Sequence, residues 1–156
     1  MIWETLEKKL ILTNCRAKSR QEIFQTIGGL LIQEGYCRGS YIKALNDRED
    51  EYPTGLDMGE IGVAIPHTDV SHVIRSTMAI AVLQKPVPFE VMGGDDGETV
   101  DVSLVVAMAI QDAAAHLCQV QALLKVLQDN SVLRELTSAK SPEEVICIIK
   151  GKEEKL

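Results

Sequence analysis

Aromatic residues are scarce in this sequence. Phe, Tyr and Trp make up 4% of it, so a core has to be assembled from Leu, Ile, Val, Ala and Met. Long apolar runs are missing too. None approaches the roughly 20 residues that a membrane-spanning helix needs, and direct membrane insertion is not expected. No C-x-x-C pair occurs. Cys15, Cys37, Cys118 and Cys147 lie far apart and match no zinc spacing, so they read as small core hydrophobes of a reduced protein. The absence of G-x-G-x-x-G and G-x-x-x-x-G-K-[ST] removes the usual dinucleotide and P-loop readings. Without a G-x-S-x-G elbow, a Ser-His-Asp hydrolase has no support. Positive charge is in deficit, with 16 Lys and Arg against 23 Asp and Glu and a net charge of −7. A phosphate backbone would repel that surface, so nucleic acid is not an expected partner. Glu4, Glu7, Lys8 and Lys9 interrupt the first twelve residues. That stretch does not read as a signal peptide, and a cytoplasmic protein is expected.

What is present suits one domain spanning 1–156. Its 46% hydrophobic and 25% charged residues can bury a sizeable core. Lys9–Thr13 reads as a strand. Ser19-Arg-Gln-Glu22 has the form of a capping box, and Ile23, Phe24, Ile27, Leu30 and Leu31 mark one face of a helix ending near Glu34, stopped by Gly35. Gly28 and Gly29 inside it cost roughly 1 kcal/mol each relative to Ala, and close packing by another element would explain them. A second helix is expected from Ser40 to about Arg48, with Ile42, Ala44 and Leu45 apolar, followed by a loop over Asp50–Glu60. Ile61–Ile65 and Ser76–Leu83 read as buried strands. Pro86 and Pro88 close the second, with a short strand Val87–Val91 after it, and Thr99–Ile110 reads as an interior strand. Leu117, Val120, Leu123, Leu124 and Leu127 form a helical stripe, Ser131–Ser138 a short helix, and Ser141-Pro-Glu-Glu144 opens a last helix ended by Gly151. The core is expected over about 10–150, with 151–156 a frayed tail. The fold class is α/β: a central mixed sheet flanked by helices, without the regular alternation of a doubly wound sheet.

Three histidines occur: His67, His72 and His116. His67 directly follows the apolar run Ile61-Gly-Val-Ala-Ile-Pro, which places it at a sheet rim with Pro66 stiffening its approach. A neutral imidazole offers one ring nitrogen with a free lone pair. It can attack phosphorus while the other nitrogen's N–H is held, and its weak P–N product can pass the group on. Such transfer needs in-line placement and groups for the equatorial oxygens. A guanidinium, a hydroxyl and a second imidazole would serve, and Arg48, Thr54 and His116 can supply them. Plainer readings exist for each. His72 lies in polar surroundings and reads as structural or surface. His116 suits a solvated first helical turn, Arg48 sits in the charge run Asp47–Glu51, and Thr54 suits a turn. His67, Asp69 and His72 match no familiar metal site, and neither a metal nor a cofactor is expected.

Three segments together carry a likeness. They are Ala44-Leu-Asn-Asp-Arg-Glu-Asp-Glu-Tyr-Pro-Thr-Gly55, Ile61-Gly-Val-Ala-Ile-Pro-His67 and His116-Leu-Cys-Gln-Val-Gln-Ala-Leu-Leu124. Their order and separations resemble the fructose/mannitol-type IIA domains of the bacterial phosphotransferase system, from about Leu10 to Lys150. Glu-Tyr-Pro-Thr-Gly looks most like the galactitol branch. The resemblance implies the mannitol/fructose-type IIA fold and a phosphorylated His67. The donor would be phospho-HPr, the acceptor a cysteine of the IIB component, and the IIC membrane permease an indirect partner. It also implies that His116 steadies the phosphoryl group and that Arg48 and Thr54 line the site. The alternative within the same resemblance is a regulatory phosphorylation sensor that binds a transporter, kinase or transcription regulator. A carrier meeting two partners through one face should show exposed apolar residues around His67, a polar rim and contacts below about 1,200 Å².

Overall fold

The chain, described over residues 1–156 in a computed structural model, enters its sheet at strand β1 (Ile11–Cys15), after short 3-10 turns at Ile2–Thr5 and Lys8–Leu10. Helix α1 (Arg20–Gln33) begins where the Ser19 hydroxyl accepts the Glu22 N–H at 3.1 Å. It stops before Gly35, whose φ of 80° lies in the left-handed region that glycine tolerates. Helix α2 (Tyr41–Glu51) follows, then strands β2 (Gly55–Asp57), β3 (Gly62–Ala64), β4 (Thr77–Glu90) and β5 (Thr99–Ala109), and helices α3 (Ala113–Leu127), α4 (Asn130–Thr137) and α5 (Pro142–Glu153).

The five strands form one mixed sheet in the order β1-β4-β5-β3-β2. β1 runs parallel to β4, β3 runs parallel to β5, and the other two pairings are antiparallel. Successive residues of β4 and β5 point to opposite faces. Met78, Ile80, Val82, Leu104, Val106 and Met108 pack under α3, α4 and α5. Ala79, Ala81, Val105, Ala107 and Ala109 pack under α1 and α2. The expected mixed sheet between two helical layers is therefore present.

Several local features differ from expectation, each for a visible reason. β4 continues through Pro86 and Pro88 instead of ending before them. Its partner β1 ends opposite Leu83, so β4 is an edge strand from there on, where a missing N–H costs least. The loop expected over Asp50–Glu60 contains the three-residue strand β2, too short for its pattern to register. Gly151 does not end α5, and the tail is not frayed from 151. The helix runs on to Glu153, which is buried and whose carboxylate accepts the N–H groups of Ile2 and Trp3 at 2.9 and 2.8 Å. In α3, Leu117 is 59% exposed instead of lying on the buried stripe, which consists of Leu123, Val126 and Leu127.

Two glycines are demanded by close approach. A Cβ on Gly62 would stand 2.1 Å from the Asp101 carbonyl oxygen, where Ser103 bulges from β5 between the Gly62–Val102 and Val63–Leu104 pairs. A Cβ on Gly28 would meet Ile42 Cγ1 at 2.8 Å, so Gly28 is where α2 seats against α1; Gly29 has nothing within 4 Å. The two neighbours should respond oppositely to alanine. Gly28→Ala is expected to destabilise by about 1–3 kcal/mol through overpacking. Gly29→Ala should stabilise by roughly 0.5–1 kcal/mol through helix propensity. Thermal melts of the two variants check this, and equal shifts of the same sign would be inconsistent with the packing described.

Candidate functional site

β3 and β5 are parallel neighbours, so their C-terminal ends lie together at one rim of the sheet. Ile65 and Pro66 carry β3 onward to His67, and the pairing persists outside the strands: the Met108 N–H donates to the Pro66 carbonyl at 3.0 Å, and His67 bridges Met108. β5 leads into α3, whose N-cap Asp112 accepts the Ala114 N–H at 3.0 Å. His116 occupies that helix's first turn. The two imidazoles meet with ring centroids 4.5 Å apart and planes inclined by 47°. Both are partly exposed.

The His67 ring has a defined tautomer. Its Nδ1 lies 3.0 Å from the Ile65 carbonyl oxygen. A carbonyl only accepts, so Nδ1 carries the proton, and in the neutral ring the lone pair resides on Nε2. His116 binds a proton less readily than an ordinary histidine. Burial is the main cause, and the nearby His67 and the positive charge of Arg48 add to it.

Arg48, in the last turn of α2, is not absorbed in a solvated charge network. Its neighbours are engaged elsewhere: Asp47 pairs with Lys43 and Asp50 with Arg20, each at 2.7 Å. Its own guanidinium packs 4.3 Å from the Tyr52 ring centre, an arrangement that orients a cation without neutralising it. Thr54 behaves differently from the expectation that its hydroxyl faces the site. It is 2% exposed. Its hydroxyl donates to Glu49 Oε1 at 2.8 Å and its N–H donates to Glu49 Oε2 at 2.6 Å. The hydroxyl proton is thus committed to a buried carboxylate.

Glu49 was hidden in sequence by the charge run around it. The signal that could have found it is helical spacing. Tyr41, Leu45 and Glu49 recur every fourth residue and form the buried face of α2, so Glu49 falls on an apolar stripe. Burial raises its pKa, against the Thr54 hydrogen bonds and the charge of Arg20. His72 lines a groove with Arg48 and Thr68, its Nδ1 2.7 Å from Ser40 Oγ. No group of three His, Cys, Asp or Glu side chains is placed to hold a metal ion. Burial pushes the Cys37 thiol up to about 12, while Cys118 and Cys147 are exposed.

The rim is open. A groove of about 340 Å³ runs between α2 and the segment after β3, lined by Lys43, Asp47, Arg48, Glu51, Thr68 and His72 among others. A larger hollow of about 490 Å³, between Thr13, Asn14, Gln84 and Lys140, holds none of the site residues. Exposed apolar side chains occur close by along the chain: Leu117 follows His116, Val70 lies three residues after His67, and Tyr52 packs on Arg48. No helix is long and apolar enough to cross a membrane.

Comparison with known proteins agrees with this arrangement. The sequence profile of the family described as "Phosphoenolpyruvate-dependent sugar phosphotransferase system, EIIA 2" matches residues 4–152. The galactitol-specific EIIA component of Escherichia coli K12 is 30% identical over 117 residues, covering 75% of this chain and 77% of that protein. A mannitol-specific EIICBA component from Buchnera aphidicola is 28% identical over 150 residues, covering 95% of this chain and 22% of that much longer protein. The crystal structure of mannitol IIA from Escherichia coli superposes with a TM-score of 0.77 at 25% identity, covering 92% of this chain and 98% of that one. A complex of the mannitol IIA enzyme with phosphorylated mannitol IIB, also from Escherichia coli, contains a chain matching at 25% identity and TM-score 0.77, over 94% of this chain and 97% of that one.

The electrostatic contact across the rim is measurable. Arg48→Ala removes a positive charge from beside His116, so the His116 pKa should rise toward its ordinary 6.5, read from ring-proton NMR titration. Because the folded chain binds that proton more weakly than the unfolded chain, protonation favours unfolding. The contribution of His116 to stability is intact above 6.5 and falls as pH drops below it. His116→Gln should flatten the pH dependence of denaturation midpoints in that window.

Proposed function

The chain belongs to the EIIA 2 family of the phosphoenolpyruvate-dependent sugar phosphotransferase system, and from that membership we propose that it carries a phosphoryl group on His67 Nε2. The observation that carries this reading is the hydrogen bond from His67 Nδ1 to the Ile65 carbonyl, which leaves Nε2 with the lone pair beside a second imidazole and an unneutralised guanidinium. Phospho-HPr serves as donor. Nε2 attacks the phosphorus in line, the donor's P–N bond breaks, and the donor imidazole departs with the bonding electrons. In the second transfer a cysteine thiolate of a IIB component attacks the same phosphorus, and the Nε2–P bond breaks. The Nδ1 proton stays directed at the Ile65 carbonyl throughout, so neither step needs a proton acceptor on His67.

Charge governs how long the phosphoryl group is held. Arg48 offers a guanidinium to its oxygens, and His116, neutral before transfer, offers a ring N–H. The N-terminal turn of α3, where His116 sits, adds the positive end of a helix dipole. The shallow rim fits a phosphoryl group presented on another protein's side chain, which needs no deep pocket. Leu117, Val70 and Tyr52 supply the apolar contacts of a small, transient interface. The complex of mannitol IIA with phosphorylated IIB supports IIB as acceptor. Identity of 30% with a galactitol-specific component favours galactitol or a similar polyol as the sugar whose uptake is served.

Incubation with phosphoenolpyruvate, enzyme I and HPr should add one acid-labile phosphoryl group, and phosphorus NMR should assign it to Nε2. His67→Gln should accept none. Arg48→Ala should slow acceptance by about a hundredfold, the scale of losing one transition-state donor. A phosphoryl group mapped to another residue, or none on the wild-type protein, would overturn the reading. A panel of purified IIB proteins then identifies the acceptor, and with it the sugar.

A further inference from the structure

The hydrogen bonds of the rim continue inward beyond the residues that face solvent. Glu49 is 3% exposed, an uncommon position for a carboxylate. Taking a charge out of water is costly, and a buried ion is a poor device for stability alone. Both of its oxygens are occupied by one residue: Thr54 donates its N–H at 2.6 Å and its hydroxyl at 2.8 Å. Thr54 in turn accepts, on its carbonyl, the N–H of Ile65 at 3.4 Å. The Ile65 carbonyl then accepts from His67 Nδ1 at 3.0 Å. Apart from the Glu49 carboxylate, the Thr54 hydroxyl and the terminal imidazole, every atom in this series is main chain, with little freedom to adjust.

The series ties α2 to the nucleophile. Arg48 and Glu49 are adjacent, so the guanidinium at the rim and the carboxylate beneath it are set by the same helical turn. α2 itself is seated by the Gly28 contact with Ile42. Glutamate meets the requirement at Thr54 because its two oxygens both accept. Glutamine would offer one oxygen and turn an NH₂ group toward either the Thr54 N–H or its hydroxyl. Around the carboxylate stand Arg20 from α1 and Glu90 from β4, whose opposed charges partly cancel.

We infer that Glu49 is a positioning residue for phosphoryl transfer: through Thr54 and the Ile65 carbonyl it fixes the tautomer and direction of the His67 ring. The inference rests on His67 being the phosphoryl acceptor, and its test is separable from that reading. The variants are Glu49→Gln, Thr54→Val and Thr54→Ser in the full chain. The readouts are the nitrogen NMR signals of the His67 ring at a pH where it is neutral, the rate and apparent KM of phosphoryl acceptance from phospho-HPr, and circular dichroism melts.

Glu49→Gln and Thr54→Val should populate both His67 tautomers and lower the maximal rate by about a hundredfold, the cost of a misplacement near 1 Å. The apparent KM for phospho-HPr should stay close to wild type, and Thr54→Ser, which returns the hydroxyl, should recover most of what Thr54→Val loses. If both disruptive variants melt lower yet keep the wild-type tautomer and rate, Glu49 is structural and the inference fails. Should Glu49→Gln not fold, Thr54→Val decides, because it keeps the N–H bond and removes the hydroxyl alone. If the wild-type protein accepts no phosphoryl group, the proposed function fails, while the ring signals still report whether Glu49 sets the tautomer.

Discussion

The rim of this molecule depends on the parallel pairing of β3 with β5, a ladder that spans three residues of β3. Parallel strands end at the same side of a sheet, so two histidines separated by 49 positions in the chain are delivered to one place. An antiparallel β3 would have sent His67 to the opposite end. The pairing tolerates its own brevity because Gly62 lets β3 lie against the bulged backbone at Asp101 and because the Met108 N–H extends it to Pro66. Placing the two rings then needs only a defined exit from each strand: Pro66 stiffens one, and Asp112 caps the helix at the other.

The layer beneath the site is as specific as the site. α2 brings Arg48 to the surface and Glu49 to the interior in one turn, and the residues that bury this helix, Tyr41 and Leu45, lie on the same face as Glu49. The exposed cation and the buried anion are therefore not independent features. Shifting α2 by one residue so that Arg48 took the place of Glu49 would bury a guanidinium and expose the carboxylate that holds Thr54. The charge run Asp47–Glu51 thus sorts into four roles. Asp47 and Asp50 form surface pairs, Glu49 is internal, Arg48 is unpaired, and Glu51 lines the groove beside it.

Much of this could be read from the chain itself, and the exceptions have physical causes. Ser19, Gly35 and Ser141 announced helix ends because capping is local chemistry. The apolar runs at Ile61–Ile65 and Thr99–Ile110 announced buried strands because both faces of the sheet are covered. The positions of His67 past a strand end and of His116 in a first helical turn were legible from such segments, while Arg48 and His116 were picked out for the site by the resemblance around them. The features that escaped were non-local. Pro86 and Pro88 broke the strand pattern on paper, yet the neighbouring strand had already ended, which no local pattern reveals. Gly151 looked like a helix stop, but Glu153 is held 150 residues away by the main chain of Trp3. Thr54 was expected to offer a free hydroxyl, because the carboxylate that accepts its hydrogen bond was disguised among other carboxylates.

The two faces of the sheet are built from side chains of different size. Under α1 and α2 five alanines, Ala64, Ala79, Ala81, Ala107 and Ala109, lie beside the larger Leu83, Val87, Phe89, Val102 and Val105, whereas the strands give the other face no alanine but Val63, Met78, Ile80, Val82, Leu104, Val106 and Met108. Where an alanine forms the floor a helix can ride close to the backbone with little slack, while a floor of larger side chains, Met78 and Met108 among them, can be repacked. Sequence drift should consequently be uneven across this molecule. The side beneath α3–α5 can exchange volume among its members, but the five alanine positions act as spacers of fixed thickness. Their conservation among descendants of this chain would record the depth at which α1 and α2 ride, with no contact to the rim at all.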